Sequence, residues 1–170
     1  MTATVFVDTN VFVYARDGSE PVKRPRAVAW LEHLWRGRAG RTGMQVITEY
    51  YVNVTRKLKP ALSPDNAWDD VRSLLLWRPQ AVNEAVVTRA HEIERRFRLN
   101  WWNALIVAAA QLQGCVLLLT EDLQDGATLD GVTVRNPFKL AIEEAVAAYA
   151  LPTASPASHP KRGRPARARA

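Results

Sequence analysis

Cysteine is nearly absent from this 170-residue chain, and Cys115 alone excludes an internal disulfide framework. Such a composition is typical of a reducing compartment, and the start of the chain lacks the basic segment of a signal peptide. We therefore expect a cytoplasmic protein. No apolar run approaches the roughly 20 residues of a membrane span, so no membrane partner is expected. The histidines are scattered, and no His or Cys set has the spacing of a zinc site.

Acidic residues are also absent from residues 151–170, which contain five basic ones. Subtracting these five from the 23 basic residues of the chain leaves 18 against 17 acidic residues in residues 1–150. We expect residues 1–150 to form one folded domain and the remainder to form a disordered basic tail. The tail segment Lys-Arg-Gly-Arg-Pro (161–165) resembles the core of an AT-hook, although general attraction to DNA or RNA is the simpler account.

Short apolar runs alternate with helical patterns along residues 1–150. Residues 4–7, 116–119 and 132–134 are predicted strands, because each is a short run rich in β-branched or aliphatic residues. Residues 104–112 are apolar nearly all round, which predicts a buried helix, and residues 138–149 are predicted to form a terminal helix packed on the domain. This alternation predicts an α/β fold with a parallel sheet and helices on both faces.

Acidic residues follow two of the predicted strands. Asp8 comes directly after the first strand, and Asp122 follows the strand at 116–119. Either residue alone is equally well explained as a turn or helix cap. Because the carboxyl ends of parallel strands face one crevice, where ligands bind in such sheets, the pair predicts a shared site.

Glu49 belongs to a helical pattern whose apolar residues face the core. It shares the polar face of that helix with Asn53 and Arg56, at spacings of four and seven residues. A polar stripe of this kind is usually a solvated helix surface. The alternative is that Glu49 is a third acidic group directed at the same crevice.

Asn103 is the polar residue at the start of the apolar helix, after two tryptophans. An ordinary helix N-cap would explain it. Alternatively, Asp8, Glu49, Asn103 and Asp122 converge. Clustered carboxylates repel one another and require cations or retained protons, and oxygen ligands favour Mg²⁺ or Mn²⁺. A site of this kind is suited to phosphodiester hydrolysis by a metal-activated water.

Four sequence blocks together resemble one known family. They are residues 5–11, 45–57, 102–110 and 119–123. In this order they closely resemble the PIN-domain ribonucleases, and most of all the VapC-type toxins of bacterial toxin–antitoxin systems. The resemblance implies a three-layer α/β/α fold with a small central parallel sheet. It also implies a metal-dependent endoribonuclease that acts on RNA, is often a homodimer, and is inhibited by a cognate antitoxin protein that inserts into the active groove.

The resemblance assigns roles position by position. The family's acidic metal-site residues match Asp8, Glu49 and Asp122. Its supporting polar positions match Thr9, Asn10 and Thr120. The family pattern has aspartate where this chain has Asn103, which supplies an oxygen ligand without a charge. The catalytic set implied here is therefore Asp8, Glu49, Asn103 and Asp122, with Asp8, Asn103 and Asp122 as metal ligands.

The amide at position 103 has two explanations. It is either an engineered inactivation, which we favour because the rest of the site is intact, or a natural change in a weak nuclease or a regulator that binds antitoxin or nucleic acid without cutting. A phospho-receiver domain also has an aspartate at a strand end. It requires a lysine after the last strand, where this chain has Arg135, Asn136 and Pro137.

RNA entering the crevice requires nearby cations. The candidates are Arg36, Arg38 and Arg41 in a glycine-rich loop, and Arg56 and Lys57 beyond Glu49. Surface arginines that only aid solubility are the alternative. Trp30, Trp35 and Trp77 are candidates for exposed aromatic residues along a dimer interface.

Overall fold

The computed structural model describes residues 2–153, so the predicted tail contacts lie outside the described residues. The strands are β1 (Val5–Val7), β2 (Gly40–Arg41), β3 (Leu117–Leu119), β4 (Thr128–Leu129) and β5 (Val132–Arg135). The helices are α1 (Thr9–Arg16), α2 (Lys23–Arg36), α3 (Met44–Val52), α4 (Pro64–Leu75), α5 (Glu84–Phe97), α6 (Trp101–Leu112) and α7 (Ile142–Tyr149). A π-helical turn, Asn53–Lys57, continues α3. No helix in this part of the chain is long and apolar enough to cross a bilayer.

The five strands form one sheet in the order β2-β1-β3-β5-β4. All pairs are parallel except β4 with β5. The strands β1 and β3 are buried at every position, as expected for apolar runs covered by helices on both faces. The predicted three-layer α/β/α fold is confirmed, and β1 and β3 are neighbours whose carboxyl ends lie side by side.

The β4–β5 hairpin was not predicted. Its two-residue turn consists of Asp130 and Gly131, which both have positive φ angles of 46° and 90°. An Asp-Gly pair in this conformation forms the type I′ turn that matches the twist of the flanking strands. The hairpin adds an antiparallel edge to the otherwise parallel sheet.

The terminal helix begins later than predicted, at Ile142 rather than near residue 138. Asn136 explains the difference, because its carbonyl accepts hydrogen bonds from the backbone N–H groups of Lys139 and Leu140. Its side-chain oxygen also accepts from the N–H of Phe138, at 2.9 Å. These local bonds form turns in place of a helical start.

The core includes two of the tryptophans that were predicted to be exposed. Trp30 and Trp77 are only 1% and 8% exposed, so the prediction that they line a dimer interface is wrong. The indole N–H of Trp30 donates to the carbonyl of Pro137 at 3.1 Å. Trp35 is 45% exposed. The core also includes Leu151, one residue past the expected domain end.

Gly40→Ala is expected to destabilise the fold by about 2 kcal/mol, because overpacking a core costs roughly 1–3 kcal/mol. A Cβ atom at Gly40 would lie 2.5 Å from the Trp77 ring. Gly18→Ala is the matched control, since its Cβ would meet nothing nearer than Arg24, at 3.7 Å. Urea denaturation of both variants measures the effect. Equal midpoints for the two would contradict the packing of Trp77 on β2.

Candidate functional site

The predicted site lies at the carboxyl edge of β1 and β3. The backbone N–H of Asp8 donates to the carbonyl of Leu119 at 3.1 Å, so the residue after β1 contacts the last residue of β3. Asp8 is 5% exposed and Thr120 is fully buried. Asp8 thus lies at one of the two strand ends, and Asp122 follows two residues after Thr120 at the other.

Thr120 links the two aspartates. Its hydroxyl donates to Asp8 Oδ2 at 2.8 Å and accepts from the backbone N–H of Asp122 at 3.1 Å. Asn10 supports the same link, because its Nδ2 donates to Thr120 Oγ1 at 3.2 Å and to Asp122 Oδ2 at 3.1 Å. Four residues from two strand ends thus form one hydrogen-bonded cluster.

Asp8 also caps α1, because its Oδ1 accepts from the backbone N–H of Thr9 at 2.7 Å. The cap and the shared site are therefore compatible roles. Burial raises the pKa of Asp8 to about 6, against the opposing hydrogen bonds from Thr120 and Thr9. The nearby carboxylates of Asp122 and Glu49 raise it further. This carboxyl group is consequently held in a position where its ionised form is unfavourable.

Glu49 joins the cluster from α3. Thr9 Oγ1 donates to Glu49 Oε2 at 2.9 Å, which connects Glu49 to the residue next to Asp8. Gln45 donates from Nε2 to Glu49 Oε1 at 3.0 Å, and the same atom lies 3.4 Å from the carbonyl oxygen of Trp102. Gln45 was not predicted, although it stands four residues before Glu49 and therefore on the same helix face.

Asn103 is not the cap of α6. That cap is Asn100, whose Oδ1 accepts from the backbone N–H of Asn103 at 2.9 Å. Asn103 lies in the first turn, half-buried, and within residues 2–153 its side chain makes no hydrogen bond. Through Gln45 this turn is connected to Glu49, so position 103 belongs to the same neighbourhood as the acidic residues.

The donor atoms of the cluster fit a hard divalent cation in their chemistry. All are oxygens, and within residues 2–153 the buried Oδ1 of Asn10 has no hydrogen-bond partner. Within the described part of the chain, however, no three His, Cys, Asp or Glu side chains are close enough together to hold a metal ion. Each carboxylate is held by a hydroxyl or amide donor instead: Asp8 by Thr120, Glu49 by Thr9 and Gln45, and Asp122 by Asn10.

A second cluster fixes the loop that carries Asp122. Glu121 forms an ion pair with Lys23 at 2.8 Å and accepts a hydrogen bond from the hydroxyl of Tyr14 at 2.7 Å. The Lys23 ammonium also lies 4.4 Å from the centre of the Tyr14 ring. No local sequence pattern predicts this contact, because Glu121 lies about a hundred positions after Tyr14 and Lys23.

The arginines of the glycine-rich loop lie away from the acidic cluster. The loop precedes β2, which is parallel to β1, and the carbonyl of Ala39 accepts from the N–H of Val5 at the start of β1. Arg36 ends α2 and Arg38 follows it, so both lie near the amino ends of the strands. Arg41 lies in β2, and its guanidinium donates back to the carbonyls of Gly40 and Arg38. The predicted placement of these arginines beside the acidic centre therefore needs correction. Arg56 and Lys57 are exposed in the turn that continues α3.

Comparisons with known proteins agree with this architecture. The family model described as PIN domain matches residues 5–124. A toxin–antitoxin complex from Klebsiella pneumoniae is similar in fold, at 19% identity and a TM-score of 0.60, covering 81% of this chain and 100% of that chain. FitAB bound to an IR36 DNA fragment is similar at 20% identity and a TM-score of 0.64, covering 81% and 98%. The Mycobacterium tuberculosis toxin VapC20, which cleaves the sarcin–ricin loop, is similar at 16% identity and a TM-score of 0.52, covering 70% and 90%.

At these identities the solved structures establish a common fold and nothing further. The comparison with curated proteins finds no match.

Proposed function

The chain belongs to the PIN-domain family, and from this premise we propose that it is a metal-dependent endoribonuclease of the toxin–antitoxin type, weakened or inactivated by Asn103. The observation that carries the proposal is the hydrogen-bond network that joins Asp8, Glu49 and Asp122 through Thr9, Thr120 and Asn10 at the carboxyl ends of β1 and β3. The solved structures of similar fold support the same proposal, because they include toxin–antitoxin complexes and a toxin that cleaves RNA. The partners proposed are RNA, a cognate antitoxin and a second copy of the chain.

The cation proposed for the site is Mg²⁺ or Mn²⁺, held by Asp8, Asp122 and the amide oxygen of Asn103. When bound, such an ion supplies a water of lowered pKa and a positive charge beside the phosphate. Thr120 and the N–H of Thr9 orient the carboxylate of Asp8, and Asn10 orients that of Asp122. Thr9 and Gln45 engage one oxygen of Glu49 each, so this side chain is fixed in direction.

The competing function is a PIN-domain regulator that binds antitoxin or nucleic acid without cutting. Asn103 favours it, because an amide contributes no charge to a cation site. The retained carboxylates of Asp8, Glu49 and Asp122 count against it, since burying Asp8 near two other carboxylates is costly without a use for them.

An RNA-cleavage assay distinguishes the two functions. The full chain and its Asn103→Asp variant are incubated with a mixed-sequence RNA in Mn²⁺ or in EDTA. We expect cleavage by Asn103→Asp in Mn²⁺ but not in EDTA, weaker cleavage by the unsubstituted chain, and loss of cleavage when Glu49→Gln is added to the variant. Metal-independent cleavage, or no cleavage by Asn103→Asp, would contradict the nuclease proposal.

Gln45→Met is expected to reduce cleavage about tenfold to a hundredfold in the Asn103→Asp background, the usual cost of losing a residue that orients a metal-site group. Methionine retains the length of the side chain but removes the amide that donates to Glu49. Cleavage rates and Mn²⁺ affinity are measured together with the urea midpoint, which should barely change.

Gln111→Met is the matched control for that substitution. The amide of Gln111 donates to the carbonyl of Leu129 at 3.0 Å, near the end of α6 that lies away from Asn103. It should leave cleavage unchanged. If both methionine variants lose activity equally, Gln45 acts through general stability and does not position Glu49.

A further inference from the structure

Three arginines line one pocket at the edge of the sheet opposite the acidic cluster. The pocket has a volume of about 420 Å³ and is lined by Trp35, Arg38, Gly40, Arg41, Leu76, Trp77 and Arg78. No aspartate or glutamate of the described chain lines it. We call it the arginine pocket.

The arginine pocket forms where two helices end beside β2. Arg38 follows α2 and Arg78 follows α4, and both have a φ of 52° in the left-handed region. Glycine is the usual residue for this conformation at helix ends, so each arginine is retained at some backbone cost. The amide of Gln113, just before β3, donates to the carbonyl of Arg78, which confirms that the pocket lies at the amino edge.

The charges of the arginine pocket are not neutralised within residues 2–153. Other arginines of the fold pair with carboxylates, among them Arg16 with Asp70 and Arg135 with Asp125. In the described chain Arg38, Arg41 and Arg78 form no ion pair.

Backbone carbonyls at the two helix ends offset the arginine charges only in part. The guanidinium of Arg41 donates to the carbonyl of Arg38, just past α2, at 3.4 Å and to that of Gly40 in β2 at 2.8 Å, and helix C-termini carry a partial negative charge. Three arginines around one pocket, with no carboxylate among the lining residues, therefore favour an anion as ligand.

An aromatic wall distinguishes this pocket from a general anion site. Trp35 is 45% exposed, and its ring lies 5.8 Å from that of Trp77, tilted by 31°. Cationic grooves combined with accessible aromatic rings are characteristic of proteins that bind single-stranded nucleic acid, where phosphates meet the cations and bases stack on the rings. An acidic peptide would use the arginines but would have no need of the indole.

We propose that the arginine pocket is a second RNA-binding subsite, which holds the phosphate backbone of a single strand against Arg38, Arg41 and Arg78 and one base against Trp35. The subsite rests on the proposed function and extends it. It holds a part of the RNA substrate that lies away from the bond that is cut. The two ends of β1 lie about 10 Å apart, at roughly 3.3 Å per residue. One RNA molecule can therefore reach both the arginine pocket and the acidic cluster.

Arginine-to-glycine substitutions test the subsite with a closely matched control. Arg98 also follows a helix, is exposed and has a φ of 55°, but it does not line the arginine pocket. Each of the three substitutions, Arg38→Gly, Arg78→Gly and Arg98→Gly, therefore removes one positive charge and places glycine at a left-handed backbone position. Only the first two change the arginine pocket. All variants are made in the full chain, so the basic tail is common to them.

Binding of a fluorescent single-stranded RNA is measured by anisotropy in EDTA over a range of salt concentrations. Arg38→Gly and Arg78→Gly should each weaken binding several-fold and lower the slope of log affinity against log salt by about 0.7, the value for one phosphate contact on a single strand. Arg98→Gly should change neither quantity. If all three variants behave alike, the subsite does not exist.

Trp35 and a peptide competitor separate RNA from an acidic protein ligand. Trp35→Ala should weaken RNA binding about fivefold or more, and Trp35→Phe should retain most of the affinity, because stacking needs only an aromatic face. If Trp35→Ala has no effect and poly-glutamate displaces the RNA completely, the pocket serves acidic peptides and the RNA assignment is overturned. The assay contains no metal, so a failure of cleavage leaves its outcome unaffected.

Discussion

Asn103→Asp is expected to raise the affinity of the chain for Mn²⁺ by about tenfold or more, and its rate of RNA cleavage with it. The substitution changes an amide to a carboxylate of nearly the same size in the first turn of α6. One negative charge about 4 Å from a single positive charge contributes roughly 1 kcal/mol in water and about 4 kcal/mol at the effective dielectric constant near a protein surface. A tenfold change in affinity corresponds to about 1.4 kcal/mol, so calorimetry resolves an effect in this range.

Asn100→Asp is the control for a general effect of charge. Asn100 caps the same helix, and aspartate caps a helix as well as asparagine does. The control therefore adds the same charge to the same turn without removing the cap. Equal gains in Mn²⁺ affinity from both variants would assign the effect to the helix end. No gain from Asn103→Asp would remove position 103 from the proposed metal site.

The strand-end residues of the cluster are predictable from the sequence for a simple reason. Runs of buried aliphatic residues identify β1 and β3, and parallel strands direct their carboxyl ends to one edge, so Asp8 and Asp122 follow from the chain alone. Glu49 follows only as one residue of a polar helix face. Its contact with Thr9 depends on how α3 packs beside α1, which local patterns do not specify.

The residues missed or misplaced show where sequence reasoning ends. Gln45 had the correct spacing from Glu49, but its contact with Trp102 depends on the packing of α3 against α6. Two features of the fold are predictable from the sequence, although they were not predicted above. A loop that leads into a parallel strand lies at the amino ends of the strands, and this is where the structure has Arg38. The pair Asp130-Gly131 is itself a strong hairpin signal. The late start of α7 reflects competition by Asn136, which spacing alone does not reveal.

Asp8→Asn is expected to stabilise the metal-free chain at pH 7 by about 2 kcal/mol while abolishing Mn²⁺ binding. Burial raises the pKa of Asp8 from 3.8 to about 6, and each unit of such a shift corresponds to about 1.4 kcal/mol between the two protonation states. Asparagine avoids this cost and keeps an oxygen for capping α1. Some of the gain is lost, because the Thr120 hydroxyl no longer has a carboxylate to donate to.

The dependence on pH follows from the direction of the shift. The folded state holds the proton of Asp8 more tightly than the unfolded state, so this residue favours folding below about pH 4, near its unfolded value of 3.8. The contribution is lost as the pH rises to about 6, the folded-state value. In EDTA, the gain in stability of Asp8→Asn over the unsubstituted chain should therefore be smaller at about pH 5 than at pH 7, as measured by urea denaturation.

Asp125→Asn is the control with the opposite sign. Burial raises the pKa of Asp125, but hydrogen bonds from the backbone N–H of Asn136 and from Arg135 outweigh burial and hold this pKa below its usual value. That residue stabilises the fold above its unfolded pKa and loses this contribution as the pH falls, so removing its charge should destabilise the chain at pH 7. Opposite effects of the two substitutions would show that Asp8 is retained at a cost to stability, as expected for a residue kept for metal binding. A loss of stability in both would mean that Asp8 has a purely structural role.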